Sequence, residues 1–468
     1  MTPHEGQYQF DASKSQPTQL TNAEQYQQLL QPTESNPNMS NNNNNTLPNW
    51  NQRKAFAGFD WAKETHQVVI IDNNANVLLK FKFKHTPDGW AQFREKIAPW
   101  PGLAIVSELT SGLIVEQLIT SGLTVYGLNP ACTAALRQCQ KPSGNKDDEV
   151  DARALANGLR QNGQHWPVLS LPAEEHHALQ QELHLLTRDE IALIEQRTAL
   201  INQLQTTLLD YFPTLLEVFT DWTVPSTWDF VHQFSTPEKL LKAGPNKWKA
   251  FLCKHRMWRE ELGPKRIESL KKADKLCGSN PIISAKSFLA LKLISMLKLI
   301  EAQLKDYRHQ IQVLFDKHPD QPIFNSLPGA GPKLAPRLLA ETSGKLDPDG
   351  PQSLKCRAGT SPVRFQSGKI NKTQIRRACD HTLRATVHLW SDLSRQSCPW
   401  ADAYYQHHRN KGKTHAWALR CLGQRWLNIL YKMLQTHTTY DETFHTNNQI
   451  KHGSWVPQPQ SNPVKPTT

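Results

Sequence analysis

Short apolar runs set the pattern of the first third of the folded chain. They are rich in β-branched and aromatic residues and are bounded by turn residues, which is typical of buried strands. Two of the runs flank an Asn-rich turn at 73–76 and predict a hairpin. Helices are predicted from Pro130 and over 148–160, so the region is predicted to be α/β. The predicted strands are 56–60, 67–72, 77–83, 103–108 and 124–128.

A longer repeat follows. Four leucines from Leu179 to Leu200 recur every seven residues, and apolar residues from Leu293 to Leu314 alternate steps of four and three. This period predicts a coiled-coil arm, roughly 45 Å long for about 30 residues per helix. The two helices could pair with each other or across a dimer. Between them, four tryptophans in a helical insertion at 222–280 are explained more simply by packing than by stacking on nucleic acid.

The C-terminal part is predicted to be mostly helical and opens with a glycine-rich turn. Residues 327–332 read Leu-Pro-Gly-Ala-Gly-Pro and precede a predicted helix over 333–341. A Gly-x-Gly turn between helices is similar to a helix-hairpin-helix, whose backbone N–H groups can face a phosphate. Gly329, Gly331 and Lys333 are therefore candidate nucleic-acid contacts.

Four acidic residues stand at the ends of the predicted elements. Asp60 ends the first strand, Glu108 ends the fourth, and Asp148 and Asp151 lie one turn apart at the start of a helix, so both point the same way. Such carboxylates could hold two Mg²⁺ ions roughly 3.5–4 Å apart, to activate an attacking oxygen and stabilise a leaving one. Each acid alone is more simply a turn residue or helix cap. Their order along the chain is that of an RNase H-like nuclease fold.

Positive charge is concentrated in one segment. Residues 352–435 carry 15 Lys or Arg and 3 Asp or Glu, a surplus equal to the net charge of +12 of the whole chain. A neutral protein with one basic segment is typical of a polyanion binder. Eight scattered cysteines without a Cys-x-x-Cys pair argue against zinc and predict a reduced, intracellular protein. Neither a signal peptide nor a membrane span is predicted.

Ordered motifs in both halves of the chain carry a family resemblance. In the first half they are Gly58-Phe59-Asp60, 108–112 (Glu-Leu-Thr-Ser-Gly) and 146–156 (Lys-Asp-Asp-Glu-Val-Asp-Ala-Arg-Ala-Leu-Ala). In this combination the chain resembles the transposases of the insertion-sequence family one-hundred-and-ten, over roughly 55–165 and 320–435. The motifs of the second half are 327–332, 357–362, 366–369, 400–405 and the run 412–434.

The resemblance implies an RNA-guided DNA recombinase of a bacterial insertion sequence. A RuvC-like domain would hold Mg²⁺, or Mn²⁺, on a DEDD tetrad of Asp60, Glu108, Asp148 and Asp151. A C-terminal transposase domain would supply Ser367 as the nucleophile that forms a phosphoserine with DNA. The implied partners are donor and target DNA, a structured bridge RNA and further copies of the chain, from dimer to tetramer. The implied location is the bacterial cytoplasm, at the nucleoid.

Basic residues near Ser367 could neutralise phosphate charge. The full predicted nucleic-acid-binding set is Gly329, Gly331, Lys333, Arg364, Lys369, Lys372, Arg376 and Arg377. The predicted domains are a disordered Asn/Gln-rich tail (1–52), the RuvC-like domain (53–165), the coiled-coil arm with its insertion (166–320), the transposase domain (321–435) and a second disordered tail (436–468).

Alternatives are open for both the site and the function. Asp147 stands where the family has Thr, so Asp147 and Asp148 compete for one ligand position, and the spacing to Asp151 favours Asp148. Ser361 is a rival to Ser367 as the nucleophile. A RuvC-like nuclease or junction resolvase would use the tetrad with water and would not need Ser367. A non-catalytic nucleic-acid-binding protein would use the basic segment alone.

Overall fold

The computed structural model describes residues 50–128, 130–140, 147–166, 168–171, 175–344, 350–368 and 370–451. Lys369 and the predicted tails up to residue 49 and from residue 452 lie outside these residues. The chain divides into two compact units, Met1–Leu171 and Pro172–Thr468. Within the described ranges, none of the helices is both long and apolar enough to cross a membrane.

The first unit is built on a mixed sheet of six strands. They are β1 (Ala55–Asp60), β2 (Thr65–Asp72), β3 (Val77–Lys84), β4 (Ala104–Ser107), β5 (Thr124–Gly127) and β6 (Val168–Leu169). Their order in the sheet is β3-β2-β1-β4-β5-β6. The pairs β1–β4 and β4–β5 are parallel, whereas β1–β2, β2–β3 and β5–β6 are antiparallel. All five predicted strands are present, with ends within two residues of the prediction.

Helices cover both faces of this sheet, so β1 is buried on each side. Ala57 and Phe59 pack on one face with Phe93, while Phe56 packs on the other with Leu155. A strand buried on both faces reads as a continuous apolar run, which is why the sequence predicted it well. The helices of the first unit are α1 (Pro87–Ile97), α2 (Leu113–Thr120), α3 (Pro130–Gln140) and α4 (Asp148–Asn162).

One glycine sets the distance between α4 and β1. A Cβ built on Gly58 would lie 1.9 Å from the Ala152 carbonyl oxygen, which is a backbone atom that cannot move aside cheaply. Only glycine permits this approach. The first turn of α4 is thereby held against the end of β1.

Two predicted boundaries of the first unit need correction. Strand β6 pairs with β5 and extends the unit beyond the predicted limit at residue 165. The short 3₁₀ turn Trp50–Gln52 is ordered although it was predicted as part of a disordered tail. Its Trp50 ring packs 5.3 Å from the Phe56 ring, and this aromatic contact fixes the segment.

The second unit is helical apart from one hairpin, β7 (Val363–Ser367) and β8 (Ile370–Gln374). The hairpin was not predicted, and it interrupts a segment expected to be mostly helical. The helices are α5 (Glu175–Tyr211), α6 (Thr214–Val218), α7 (Pro225–Gln233), α8 (Pro237–Lys254), α9 (Gly263–Leu270), α10 (Asn280–Lys317), α11 (Gln321–Asn325), α12 (Gly331–Thr342), α13 (Gln352–Arg357), α14 (His381–Ser397), α15 (Pro399–Asn410), α16 (His415–Thr436) and α17 (Glu442–Lys451).

Helices α5 and α10 form the predicted arm and pair within one chain. Ion pairs join Asp210 to Lys286 (2.6 Å) and Arg197 to Glu301 (2.8 Å), so the two helices run antiparallel. Helix α5 has 37 residues, which corresponds to about 56 Å and exceeds the predicted length. Of the two predicted alternatives, the helices of this seam therefore pair inside one chain and not across a dimer.

The arm is anchored to the C-terminal helices at its base. Glu190 of α5, nearly buried, accepts from Arg308 of α10 (3.0 Å) and from Arg337 of α12 (2.7 Å). Ile311 and Phe315 of α10 belong to the same apolar core as the C-terminal helices. The predicted division at residues 320 and 321 therefore does not separate two bodies, because the arm and the C-terminal helices share one core.

At its far end the arm carries the insertion, whose tryptophans are packing residues. Trp222, Trp228 and Trp248 are at most 4% exposed, and each indole N–H donates to a backbone carbonyl. Trp258 is half-buried against Gly263. Rings enclosed in this way cannot stack on a nucleic acid, so the packing interpretation is confirmed for the three buried tryptophans.

The predicted disorder from residue 436 is wrong up to residue 451. Tyr440 accepts from the Trp400 indole N–H (2.7 Å), and its ring lies 5.4 Å from the Trp426 ring. Its backbone N–H also donates to Ser326 Oγ (2.8 Å), and α17 follows. The His445 ring of α17 also lies 4.8 Å from the Trp400 ring, so several tertiary contacts hold a segment whose composition is polar.

Candidate catalytic site

Asp60 and Glu108 lie side by side at one edge of the sheet. Strands β1 and β4 are parallel, with Phe59 opposite Ser107, so the next residues of the two strands are also neighbours. Adjacent strands place their Cα atoms about 4.8 Å apart. Because Ser107 and Phe59 are fully buried, the chain leaves the core at these two carboxylates.

Asp151 meets the same edge from α4 and is held by an arginine that sequence reasoning missed. Arg137 of α3 donates from Nη1 to both Asp151 carboxylate oxygens at 2.8 Å. This hydrogen bond is the main cause that raises the pKa of Arg137, and the negative charges of Glu108 and Asp60 raise it further. Arg137 therefore lies within electrostatic reach of three of the four predicted acids. Asp151 itself is only 7% exposed.

The fourth predicted acid points elsewhere. Asp148 forms an ion pair with Lys82 of β3 at 3.3 Å, and its side chain is 61% exposed. Its neighbour Asp147 is the N-cap of α4 and accepts from the Glu149 backbone N–H. Capping gives Asp147 a local structural task. The structure thus places Asp60, Glu108 and Asp151 around Arg137, and it leaves Asp148 paired with Lys82.

The three convergent carboxylates have the chemistry of a site for a hard divalent cation. Carboxylate oxygens are the preferred ligands of Mg²⁺. In the described part of the chain, however, no three His, Cys, Asp or Glu side chains are close enough to hold an ion together. The Arg137 guanidinium supplies the positive charge there instead. The donor set fits a metal, on condition that Arg137 releases Asp151.

A histidine pair fixes the loop that follows Asp60. His66 is fully buried, its Nδ1 accepts from the Ala62 N–H (3.3 Å), and its Nε2 lies 2.9 Å from His85 Nδ1. Burial, helped by the neighbouring His85, lowers the pKa of His66 to about 4. The ring is neutral at pH 7, and its hydrogen bonds hold the loop in place. No alternation in β2 marks this histidine, because all residues from His66 to Ile71 are buried.

Ser367 stands at the tip of the exposed hairpin. It is the last residue of β7 and pairs with Ile370, the first residue of β8. Gly368, which follows it, has φ +53°, as a tight hairpin turn requires. The rival Ser361 is buried, and its Oγ accepts from Gln352 Nε2 (2.9 Å). The two serines therefore differ sharply in accessibility.

The predicted nucleic-acid contacts fall into distinct environments. Arg364 donates to Asn371 across the hairpin (3.1 Å), and Arg376 donates to the Ser361 carbonyl oxygen (3.2 Å) at the hairpin base. Lys369 lies outside the described residues. The exposed members of the set are Gly331, Lys333, Arg364, Lys372 and Arg377.

Gly329 has a packing reason to be glycine. It lies in the turn between α11 and α12 with φ +73°, and a Cβ there would meet the Ser394 backbone N at 2.5 Å. The Trp390 indole N–H donates to the preceding Pro328 carbonyl oxygen (3.0 Å). The Gly-x-Gly turn therefore joins two helices, as predicted, and its first glycine contacts α14.

Two sequence families match the chain, one for each half. Residues 57–213 match the DEDD domain of IS110-type elements, described as "Transposase". Residues 321–406 match the family described as "Transposase IS116/IS110/IS902 family". The first match includes all four acids of the predicted tetrad, and the second includes Ser367.

Full-length relatives show the same likeness. The chain is 28% identical over 401 residues to the mini-circle IS117 protein of Streptomyces coelicolor, whose name describes it as a transposase; the match covers 83% of this chain and 95% of that protein. It is 26% identical over 396 residues to the 42 kDa protein of insertion element IS900 from Mycobacterium paratuberculosis, covering 82% and 96%. The 44.8 kDa protein of IS116 from Streptomyces clavuligerus is 25% identical over 393 residues, covering 82% and 95%.

Proposed function

Because the chain belongs to the IS110 family of insertion-sequence transposases, we propose that it cuts and rejoins donor and target DNA through a covalent serine–DNA intermediate. A transposase acts on DNA, and a DEDD domain implies a divalent metal ion. The observation that carries the proposal is the convergence of Asp60, Glu108 and Asp151 on Arg137 at the carboxyl edge of the sheet.

We assign the first unit to the RNase H-like, or RuvC-like, fold. Its strand order is β3-β2-β1-β4-β5, with an antiparallel meander of three strands followed by two parallel strands joined through helices. This arrangement supports the assignment because it brings the ends of β1 and β4 to one edge, where α4 adds a third acid. The acids then come from the ends of two strands of the sheet and the helix packed against it.

In this proposal Asp60, Glu108, Asp148 and Asp151 hold Mg²⁺ or Mn²⁺. When bound, the metal activates the attacking oxygen and stabilises the leaving one. Asp148 is free to join the other acids because exposed ion pairs such as the one with Lys82 are weak. Asp147 stays at the helix cap, which favours Asp148 as the ligand. Arg137 neutralises the charge of Asp151 as long as no metal is bound.

Ser367 is the nucleophile of the proposed reaction. Its Oγ attacks a DNA phosphorus, a new Oγ–P bond forms, and the bond from phosphorus to the leaving 3′ or 5′ oxygen breaks. The serine proton passes to water, and the leaving oxygen takes a proton from water. A hydroxyl of the second DNA strand then attacks the phosphoserine and restores Ser367. The bond energy is conserved, so rejoining needs no ATP.

We further propose that a structured bridge RNA pairs with both DNAs and that the chain works as a dimer or tetramer. The basic segment 352–435 supports binding of nucleic acid. Ile282, Leu289 and Met296 of α10 support self-association, since they are seven residues apart and 37–51% exposed. Such a stripe is typical of a coiled-coil seam.

The competing function is a metal-dependent nuclease or junction resolvase that uses water. The test incubates purified protein with Mg²⁺, RNA from the region flanking its gene, and donor and target duplexes, and then detects protein–DNA adducts on denaturing gels. Wild type is expected to form an adduct that Ser367→Ala and Asp60→Ala both lose. Cleavage without an adduct, unaffected by Ser367→Ala, would leave the nuclease.

Matched variants control for indirect damage. Ser361→Ala removes the buried rival serine, and Glu149→Gln removes an exposed acid of α4 that pairs with Lys80 (2.9 Å). Both variants are expected to keep the adduct. Loss of the adduct in Ser361→Ala but not in Ser367→Ala would transfer the nucleophile role to Ser361.

A further inference from the structure

A cleft lies between the base of the β7–β8 hairpin and the start of α16. Its volume is about 540 Å³, within the range of roughly 300–1,000 Å³ that is usual for small-ligand sites. Three segments of the second unit line it: residues 359–362, the hairpin end at 373–376, and residues 413–424. The predicted site residue Arg376 is one of its walls, but the cleft as a whole was not predicted.

The charge of the cleft is entirely positive. Arg376, Lys413 and Arg420 line it, and no Asp or Glu does. Within the described ranges, none of these three cations forms an ion pair with a carboxylate. The charges of Arg420 and Lys413 also act together on Cys421 in the same wall, although burial raises the pKa of that thiol overall. Three convergent cations without a carboxylate partner suit a phosphate group.

An aromatic wall stands beside these cations. Trp417 is half-buried, and the Lys413 ammonium lies 5.2 Å from the centre of its ring. The same electron-rich surface accepts a stacked base. Lys413 is exposed on a flexible stem, so it can leave the ring for a phosphate. Gln424 is fixed nearby by its hydrogen bond to the Thr360 carbonyl oxygen (2.6 Å).

We propose that this cleft binds one unpaired nucleotide of a nucleic-acid strand, with the base on Trp417 and the phosphate on Arg376, Lys413 and Arg420. A duplex base is stacked on both sides and cannot reach such a ring, so the cleft selects single-stranded or extruded nucleotides. The inference rests on the proposed function, which makes nucleic acid the ligand of this segment.

The hairpin sets the distance between this nucleotide and the serine. Val363 pairs with Gln374 at the hairpin base, and Ser367 pairs with Ile370 at its tip. The four residue steps between them span about 13 Å, which equals about four nucleotides of a stacked strand. A nucleotide in the cleft would anchor the strand a few positions from the bond that Ser367 attacks.

The test measures binding of the full chain to a fluorescent 12-nucleotide single strand and to a duplex of the same length, in a Ser367→Ala background that prevents cleavage. Trp417→Ala is expected to weaken single-strand binding about tenfold and duplex binding less than twofold. Trp417→Phe, which keeps a ring, should retain most of the affinity and guards against misfolding. Arg420→Ala should weaken both single-strand and duplex binding. It should also lower the slope of log affinity against log salt concentration by about one, which corresponds to one lost phosphate contact.

Matched controls lie outside the cleft. Trp258→Ala removes a half-buried tryptophan that also carries a lysine, Lys249, at 5.1 Å from its ring. Arg425→Ala removes an arginine of α16 that lies over Tyr404 instead. Both are expected to bind the single strand as wild type does. DNA and RNA single strands run in parallel show which of the two the cleft prefers.

A photo-crosslinking arm locates the nucleotide directly. A single strand with one 4-thiothymidine should crosslink to a peptide that contains residues 413–424. Crosslinking elsewhere, or equal loss of single-strand and duplex binding in Trp417→Ala, would overturn the proposal and leave a general phosphate surface. If the wild-type chain forms no serine adduct while binding of the single strand still depends on Trp417, the proposed function is overturned and the cleft proposal stands.

Discussion

The acidic edge of the first unit and the hairpin that carries Ser367 are built in opposite ways. β1 is buried on both faces up to Phe59, whereas all ten residues of β7 and β8 are exposed. The carboxylates are thus positioned by a packed core, and the serine is positioned by cross-strand pairs alone. A two-stranded hairpin is at best marginally stable in water. The acidic edge is therefore supported by a packed core, and the hairpin tip has no such support.

A pair of glycine substitutions should give the largest contrast between the two regions. Gly58→Val drives a side chain into the Ala152 backbone, so we expect a loss of about 3 kcal/mol in the free energy of unfolding. Gly368→Val places a β-branched side chain at a φ of +53° and strains the turn, but it enters open space and the hairpin can relax locally because no core lies beneath it. Its global stability should change by less than about 0.5 kcal/mol. Urea unfolding followed by circular dichroism measures both, and equal losses would contradict the comparison.

Removing Arg137 should expose the dependence of the acidic edge on a cation. Arg137→Gln leaves Asp151 buried beside Asp60 and Glu108 without its positive partner, so we expect a lower Tm without divalent ions. Added Mg²⁺ should raise the Tm of the variant more than that of wild type, because the carboxylates no longer share a guanidinium. Lys80→Gln, which removes an exposed ion pair with Glu149 outside the proposed tetrad, serves as the control. An identical Mg²⁺ response in Arg137→Gln and wild type would argue against a metal at this edge.

His66 should make the first unit sensitive to acid. Its pKa of about 4 in the folded chain lies below the ordinary value of 6.5, so the unfolded chain binds the proton more readily between these values. The contribution is fully present above pH 6.5 and is lost as the pH falls toward 4, with a slope of at most about 1.4 kcal/mol per pH unit. His66→Phe should flatten this part of the stability profile. Burial also lowers the pKa of His388 and of His445, so only the difference between variant and wild type isolates His66.

The smallest effect on stability is expected in the hairpin. Phe365 is 50% exposed and shares the face of Ser367 and Ile370, because alternate residues and directly opposite partners point the same way. Phe365→Ala should change the free energy of unfolding by less than about 0.5 kcal/mol. It should nevertheless reduce adduct formation several-fold if nucleic acid covers this face. Unchanged adduct yield would show that the apolar face has no part in the reaction.

The sequence predicted five of the six strands of the first unit because their signals are local, but it did not predict β6, α1 or α2. Apolar runs define the strands around Phe59 and Val106, and Asp147 caps the helix that carries Asp151. The shared edge of Asp60 and Glu108 followed from the parallel run of their strands. The heptad leucines likewise predicted the arm, since its period is built into the chain.

Other features could not be read from the sequence for physical reasons. The hairpin has no buried face, and its apolar alternation is limited to Val363 and Phe365, which is too short to predict a strand. The order of α17 depends on tertiary contacts of Tyr440 and His445 with Trp400. Arg137 is visible only as the last residue of a predicted helix, because its partner Asp151 is reached through tertiary contact. The cleft at Trp417 likewise arises from three segments that meet only in the fold.

The ionic anchor at the base of the arm has a mechanical consequence. Glu190 ties α5 to α10 and α12 through Arg308 and Arg337, so the arm and the C-terminal helices turn as one piece. The part of α5 beyond Glu190, from there to Tyr211, is about 32 Å long and acts as a lever. A rotation of about 10° at the anchor moves its far end by about 5 Å, close to the height of one helical turn. A small change in packing around Glu190 therefore produces a displacement at the far end of the arm that is large enough to make or break a contact there.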